Sequence, residues 1–139
     1  MRPADIEARQ TRRTMRTLGA AMCDIVIYEE DYQTCALLKE WLGEAGYRVR
    51  IGNRCEPRSD AHGDLVIVSV CSPKEAGAHC TRDIRSAHAG TPMIAISGQF
   101  RPGLAATGPT AQFLQVRQVV AKPLVRKELL ESVRGILDA

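Results

Sequence analysis

Polar side chains that could do chemistry stand at the ends of four short apolar runs. They are two carboxylates, two hydroxyls and one ammonium group: Glu29, Glu30, Ser69, Ser97 and Lys122. Carboxylates bind hard cations through oxygen, and a lysine stabilises an anionic oxygen. The set therefore indicates chemistry with a cation or an anion, provided that the fold brings these run ends to one place.

The elements that must position these groups follow a regular alternation. Short β-branched runs predict five strands, at 24–28, 47–51, 65–70, 92–97 and 118–121. Apolar residues three and four apart predict helices over 31–45, 74–89 and 125–137. Gly and Pro interrupt 98–115, so only a degenerate fourth helix is expected there, and 53–63 has room for at most one weak helix.

Alternating strands and helices predict an α/β fold, a doubly wound five-stranded parallel sheet. Right-handed crossovers favour the flavodoxin-like strand order 2-1-3-4-5. Reactive groups gather at the carboxyl ends of such strands, which is where the five polar residues fall. In the first helix, Asp31 is the expected N-cap, and Trp41 is expected on the inner face or, alternatively, on a partner surface.

Four motifs in this order resemble the receiver domains of two-component response regulators, the CheY-like family. They are DIVIYEED, GDLVIVSVCSP, PMIAIS and VVAKPL, and the resemblance covers residues 23–139. In that family two acids and a phosphoacceptor aspartate hold Mg²⁺, while the lysine and a Ser/Thr contact the phosphoryl group. The resemblance also implies a cis peptide bond between Lys122 and Pro123.

The chain departs from this pattern at the reacting group. Alignment on the third strand puts Ser69 at the phosphoacceptor position, and Asp64 lies at the wrong end of that strand. Val119 stands where the family has an aromatic switch residue, with Ser97 as the other switch position. We therefore interpret the chain as an atypical receiver, a pseudo-receiver that lacks the phosphoacceptor.

Several expectations about the degenerate pocket follow. With one carboxylate missing, Glu29 and Glu30 should bind Mg²⁺ weakly or not at all, and no other cofactor is expected. Lys122 should instead pair with Glu29 or Glu30, and Ser97 should keep a hydrogen bond in the old pocket. The expected function is a non-enzymatic, phosphorylation-independent signalling module in the cytoplasm that acts through protein–protein interaction. Its partner would be a kinase, a transcription regulator or a second copy of the chain.

The net charge of +3 is confined to the N-terminal extension. Residues 1–22 hold five arginines against two acidic residues, whereas the receiver-like domain, 23–139, is neutral. A basic arm that associates with nucleic acid is therefore an alternative function, although the neutral domain makes nucleic acid an unfavoured partner. No apolar run is long enough to cross a bilayer, so no membrane partner is expected.

The five cysteines, an odd number without CxxC spacing, indicate reduced thiols in the cytoplasm. His79, Cys80 and His88 match no common metal-ligand spacing. A second alternative is a small-ligand-binding flavodoxin-like domain. It has little support, because Asp60-Ala61-His62 is only half of a cobalamin-binding motif and Cys71 lacks a histidine nearby in sequence.

Overall fold

The computed structural model describes residues 23–71, 75–101 and 103–138, so the predicted extension 1–22 lies outside the described residues. The strands are β1 Asp24–Tyr28, β2 Arg48–Ile51, β3 Leu65–Ser69, β4 Met93–Ser97 and β5 Gln118–Ala121. The helices are α1 Tyr32–Glu44, α2 Glu75–Ala87, α3 Pro109–Leu114 and α4 Arg126–Leu137, with a 3₁₀ turn at Pro57–Ser59.

All five strands are parallel and follow the order β2-β1-β3-β4-β5. The predicted flavodoxin-like fold is therefore confirmed. Tyr28 lies opposite Val68 and Ser97 lies opposite Ala121, so β1, β3, β4 and β5 end at one edge of the sheet. This register brings the polar residues that follow the strands to that edge.

Both faces of the sheet are covered because the central strands are apolar on both sides. Ile25, Ile27 and Ile67 pack with α1 and α4 on one face. Val26 and Val68 pack with α2 and α3 on the other. Such two-sided burial explains why these strands read as continuous apolar runs.

Helix α1 begins as the sequence predicts. The Asp31 carboxylate accepts hydrogen bonds from the backbone N–H and the hydroxyl of Thr34, both with distances below 2.9 Å. These hydrogen bonds lower the pKa of Asp31. Gly46 follows the helix with a φ of 96°, which favours glycine. Trp41 is half-buried against the core on the inner side of α1.

The degenerate helix predicted after the fourth strand is α3, which has only six residues. Pro109 starts it, and Gln115 ends it in the left-handed conformation, with a φ of 58°. The weak helix allowed in 53–63 is the 3₁₀ turn. No helix among the described residues is long and apolar enough to span a membrane.

Candidate functional site

The carboxyl edge of the sheet brings three of the five predicted residues into direct contact. Lys122 Nζ lies 2.8 Å from Glu29 Oε2 and donates a hydrogen bond to Ser69 Oγ at 3.2 Å. The Glu29 side chain is only 3% exposed. The lysine therefore neutralises a buried carboxylate and contacts Ser69, the residue that the sequence alignment predicts at the phosphoacceptor position. The peptide bond after Lys122, to Pro123, is cis.

Both oxygens of Glu29 already have partners. Oε2 accepts from Lys122, and Oε1 accepts the backbone N–H of Asp31 at 2.9 Å. The tight turn from β1 into α1 holds this carboxylate in place, because it brings the backbone N–H of Asp31 to the Glu29 side chain. Of the two partners that the sequence leaves open for Lys122, the structure selects Glu29.

Glu30 has a different cationic partner from Glu29. Its side chain is 67% exposed and forms an ion pair with the guanidinium of Arg54. The two carboxylates of the predicted acidic pair are thus separated, and each has its own cation from the protein.

Arg54 is the main site residue that the sequence analysis missed. It lies in the loop after β2, and its Nη2 donates to the carbonyl oxygens of Tyr28 at 3.1 Å and Ser69 at 2.7 Å. The guanidinium therefore bridges the ends of β1 and β3, beside Glu30. The predicted strand order could have indicated this residue. Because β2 lies next to β1 and β1 lies next to β3, the loop after β2 is close to the ends of β1 and β3.

Ser97 and Val119, the predicted switch positions, are both buried. Ser97 is 1% exposed, and its hydroxyl oxygen accepts the backbone N–H of Gln99 at 3.0 Å. Val119 is 3% exposed and packs in the core beneath α2 and α3. Ser97 lies at the same edge as Ser69 but is hydrogen-bonded within its own loop.

The residues at this edge do not fit a Mg²⁺ site. A hard cation needs several unengaged oxygen ligands, preferably carboxylates. Glu29 is engaged by Lys122 and Asp31, Glu30 is engaged by Arg54, and Ser69 offers only a hydroxyl. Over the described part of the chain, no group of three His, Cys, Asp or Glu side chains is arranged to hold a metal ion.

A second polar cluster, unpredicted from the sequence, lies beneath β1. The Tyr28 hydroxyl is 2.7 Å from Asp60 Oδ2 and 2.6 Å from Nε2 of His88, which is 1% exposed. Burial and the hydrogen bond to Asp60 raise the pKa of Tyr28. Burial, followed by the nearby His62, lowers the pKa of His88. His88 thus serves this cluster rather than the metal site considered with His79 and Cys80.

No family model and no curated protein matches the sequence. Solved structures do match the fold. A response regulator from Thermotoga maritima has a TM-score of 0.69 and 20% identity, over 86% of this chain and all of that chain. The chemotaxis protein CheY4 of Vibrio cholerae, crystallised at low pH, has a TM-score of 0.65 and 18% identity, over 84% of this chain and all of that chain.

A third similar structure is the receiver domain of the sensor histidine kinase PA1611 from Pseudomonas aeruginosa, with magnesium coordinated in its active-site cleft. Its TM-score is 0.64 and its identity 19%, over 86% of this chain and all of that chain. The fold of residues 23–138 is therefore that of a CheY-like receiver domain. The carboxyl edge of the sheet, where this chain carries its lysine, serine and acidic residues, is the part to compare with these solved structures.

Proposed function

We propose that this chain is an atypical receiver-type signalling domain that works without aspartyl phosphorylation. The observation that carries the proposal is the contact of Lys122 with Ser69 and Glu29, in place of a phosphoacceptor carboxylate. A serine cannot form the acyl phosphate that an aspartate forms. The remaining groups at the edge are held by ion pairs within the chain.

Arg54 supports the same proposal through charge. A receiver that uses Mg²⁺ needs a negatively charged pocket, and here each pocket carboxylate is paired with a cation of the protein. Any Mg²⁺ binding at Glu29 and Glu30 should therefore be weak. Two ion pairs within the chain thus neutralise the two carboxylates at this edge.

We infer further that the domain is not an enzyme and that it signals by protein contact in the cytoplasm. The partner would be a kinase, a transcription regulator or a second copy of the chain, and nucleic acid and membranes are not expected partners. The scaffold supports this, since receiver domains are signalling modules joined to kinases and effectors. The short α3 would make the surface between β4 and β5 different from that of other receivers.

The test is a phosphoryl mimic. Backbone amide NMR spectra of the full chain are recorded with Mg²⁺ alone, and then with Mg²⁺ and beryllofluoride or acetyl phosphate. We expect no saturable shift at Glu29, Ser69 or Lys122, whereas a receiver with its phosphoacceptor aspartate, run in parallel, should respond. A saturable, Mg²⁺-dependent shift at those three residues would refute phosphorylation independence.

A further inference from the structure

A cavity of about 420 Å³ opens at the other edge of the sheet, where the strands begin. It lies between the end of α2, the start of β4 and the end of α3, away from Lys122 and Ser69. The polar residues that line it are two arginines, one histidine, two threonines and two glutamines: Arg85, His88, Thr91, Thr107, Gln112, Gln115 and Arg117. None of its lining residues, all within the described chain, is acidic.

The arginines of this cavity have few partners among the described residues. Arg85 Nη1 donates to the neutral Gln115 side-chain oxygen at 2.5 Å, and the Arg85 Nε is buried without a hydrogen-bond acceptor. Neither Arg85 nor Arg117 forms an ion pair with a carboxylate of the described residues. A buried donor without an acceptor costs free energy, so this cavity favours an anion that supplies acceptors.

The backbone does not supply those acceptors. Three carbonyl oxygens at or just after the ends of these helices already accept backbone hydrogen bonds. His88 O accepts the N–H of Thr91, Ala111 O accepts that of Val116, and Gln112 O accepts that of Gln115. The groups that remain unmatched at the cavity are therefore side-chain nitrogens.

His88 adds a different requirement. The Tyr28 hydroxyl donates its hydrogen to the Asp60 carboxylate, so it accepts from His88, which assigns the imidazole hydrogen to Nε2. Nδ1 of the neutral ring is then an acceptor, and it is buried without a partner. His88 is one of the residues that line the cavity, so a ligand hydroxyl within reach of Nδ1 would satisfy this nitrogen.

We propose that this cavity binds a small oxyanion that also carries an O–H group, such as a hydrogen phosphate, a phosphate monoester or a hydroxycarboxylate. Arg85 and Arg117 would hold the anionic oxygens, and His88 would accept the hydroxyl. This site is separate from the pocket around Lys122. The inference does not depend on whether the domain is phosphorylated.

The experiment is a titration of the full chain with phosphate, sulfate and malate, followed by amide NMR. Phosphate should give saturable shifts at Arg85, His88 and Arg117, and bind about fivefold tighter than sulfate, which carries no O–H at neutral pH. Saturable binding of either malate or phosphate would support the proposal. The tighter of the two ligands would identify the acidic group that the cavity prefers.

Variants decide whether the cavity arginines hold the anion. Arg117→Gln, at an exposed position, should weaken phosphate binding about tenfold, whereas Arg82→Gln, an exposed arginine on α2 outside the cavity, should not. Arg85→Gln should act like Arg117→Gln, and Arg117→Gln alone suffices if Arg85→Gln does not fold. Shifts confined to Lys122 and Arg54, equal affinity in Arg117→Gln and Arg82→Gln, or no saturation would overturn the proposal.

Discussion

If Arg54 takes the charge role of a divalent cation, placing an aspartate at position 69 should not by itself create a metal site. In Ser69→Asp the new carboxylate would lie beside Lys122 and below the guanidinium of Arg54, whose Nη2 is 2.7 Å from the backbone oxygen of residue 69. Both cations would pair with it. We therefore expect Ser69→Asp to remain insensitive to Mg²⁺, and the double variant Ser69→Asp with Arg54→Ala to bind it.

The size of the effect follows from the charge of Arg54. A unit charge about 5 Å from a divalent ion repels it by about 7 kcal/mol at an effective dielectric constant of about 20. The Arg54 side chain is 28% exposed, so solvent screens much of this repulsion. Even a quarter of it changes affinity more than tenfold. The double variant should therefore bind Mg²⁺ at least tenfold more tightly than Ser69→Asp.

The substitution Arg54→Ala also lowers the stability of the fold. Arg54 donates two hydrogen bonds to carbonyl oxygens at the ends of β1 and β3. Losing a charged donor of this kind costs about 2 kcal/mol. Arg54→Ala should therefore unfold at lower urea concentration, while remaining folded enough for a titration.

The assay is calorimetric titration with Mg²⁺, followed by beryllofluoride with amide NMR as readout. The matched control is Ser69→Asp combined with Arg58→Ala, which removes an exposed arginine of the same loop. If Ser69→Asp alone binds Mg²⁺ as tightly as the Arg54 double variant, Arg54 does not act as the internal cation.

Two further predictions concern stability. Lys122→Met leaves the buried Glu29 carboxylate without its cation, so the free energy of unfolding in urea should fall by about 3 kcal/mol, whereas Lys127→Met on the exposed side of α4 should change it by less than about 0.5 kcal/mol. Equal effects of the two variants would contradict the buried pair. The pKa of His88 is lowered in the folded protein, so the unfolded chain binds a proton at higher pH than the folded chain does. The free energy of unfolding should therefore fall as the pH drops below about 6.5, by up to about 1.4 kcal/mol per pH unit. Chemical denaturation between pH 7 and pH 5 tests this, and His88→Gln should flatten the slope while His79→Gln, at an exposed position, leaves it unchanged.

The fold could be predicted because its signals are local. Four of the strands are short runs with buried residues, β2 is the partly exposed exception, and β1 and β5 span the residues that the sequence predicts. The differences are confined to element ends. Tyr47 and Val70 lie just outside their strands. The N–H of Tyr47 donates to Leu42 O in α1, and that of Val70 donates to Ile96 O in β4.

The site was only partly predictable. Local sequence patterns locate the ends of strands, but they do not indicate which distant residues a loop side chain contacts. The contact of Lys122 with Glu29 follows from two strand ends that the topology brings together. Arg54 and His88 reach their partners across 15 to 60 positions of the sequence. Neither residue belongs to a motif, so only the packed structure identifies them.

The predicted phosphorylation position and the predicted switch positions support the same interpretation. A receiver that responds to phosphorylation needs an acceptor, a cation, and a hydroxyl that is free to move to the phosphoryl group. Under the proposed function, Ser69 replaces the acceptor, Arg54 supplies a positive charge beside Glu30, and Ser97 is already hydrogen-bonded to Gln99. Val119, buried in the core, has no aromatic ring to move between two positions. Under the proposed function, the engagement of Lys122, Arg54 and Ser97 within the chain favours a domain held in one state, with regulation located elsewhere on its surface.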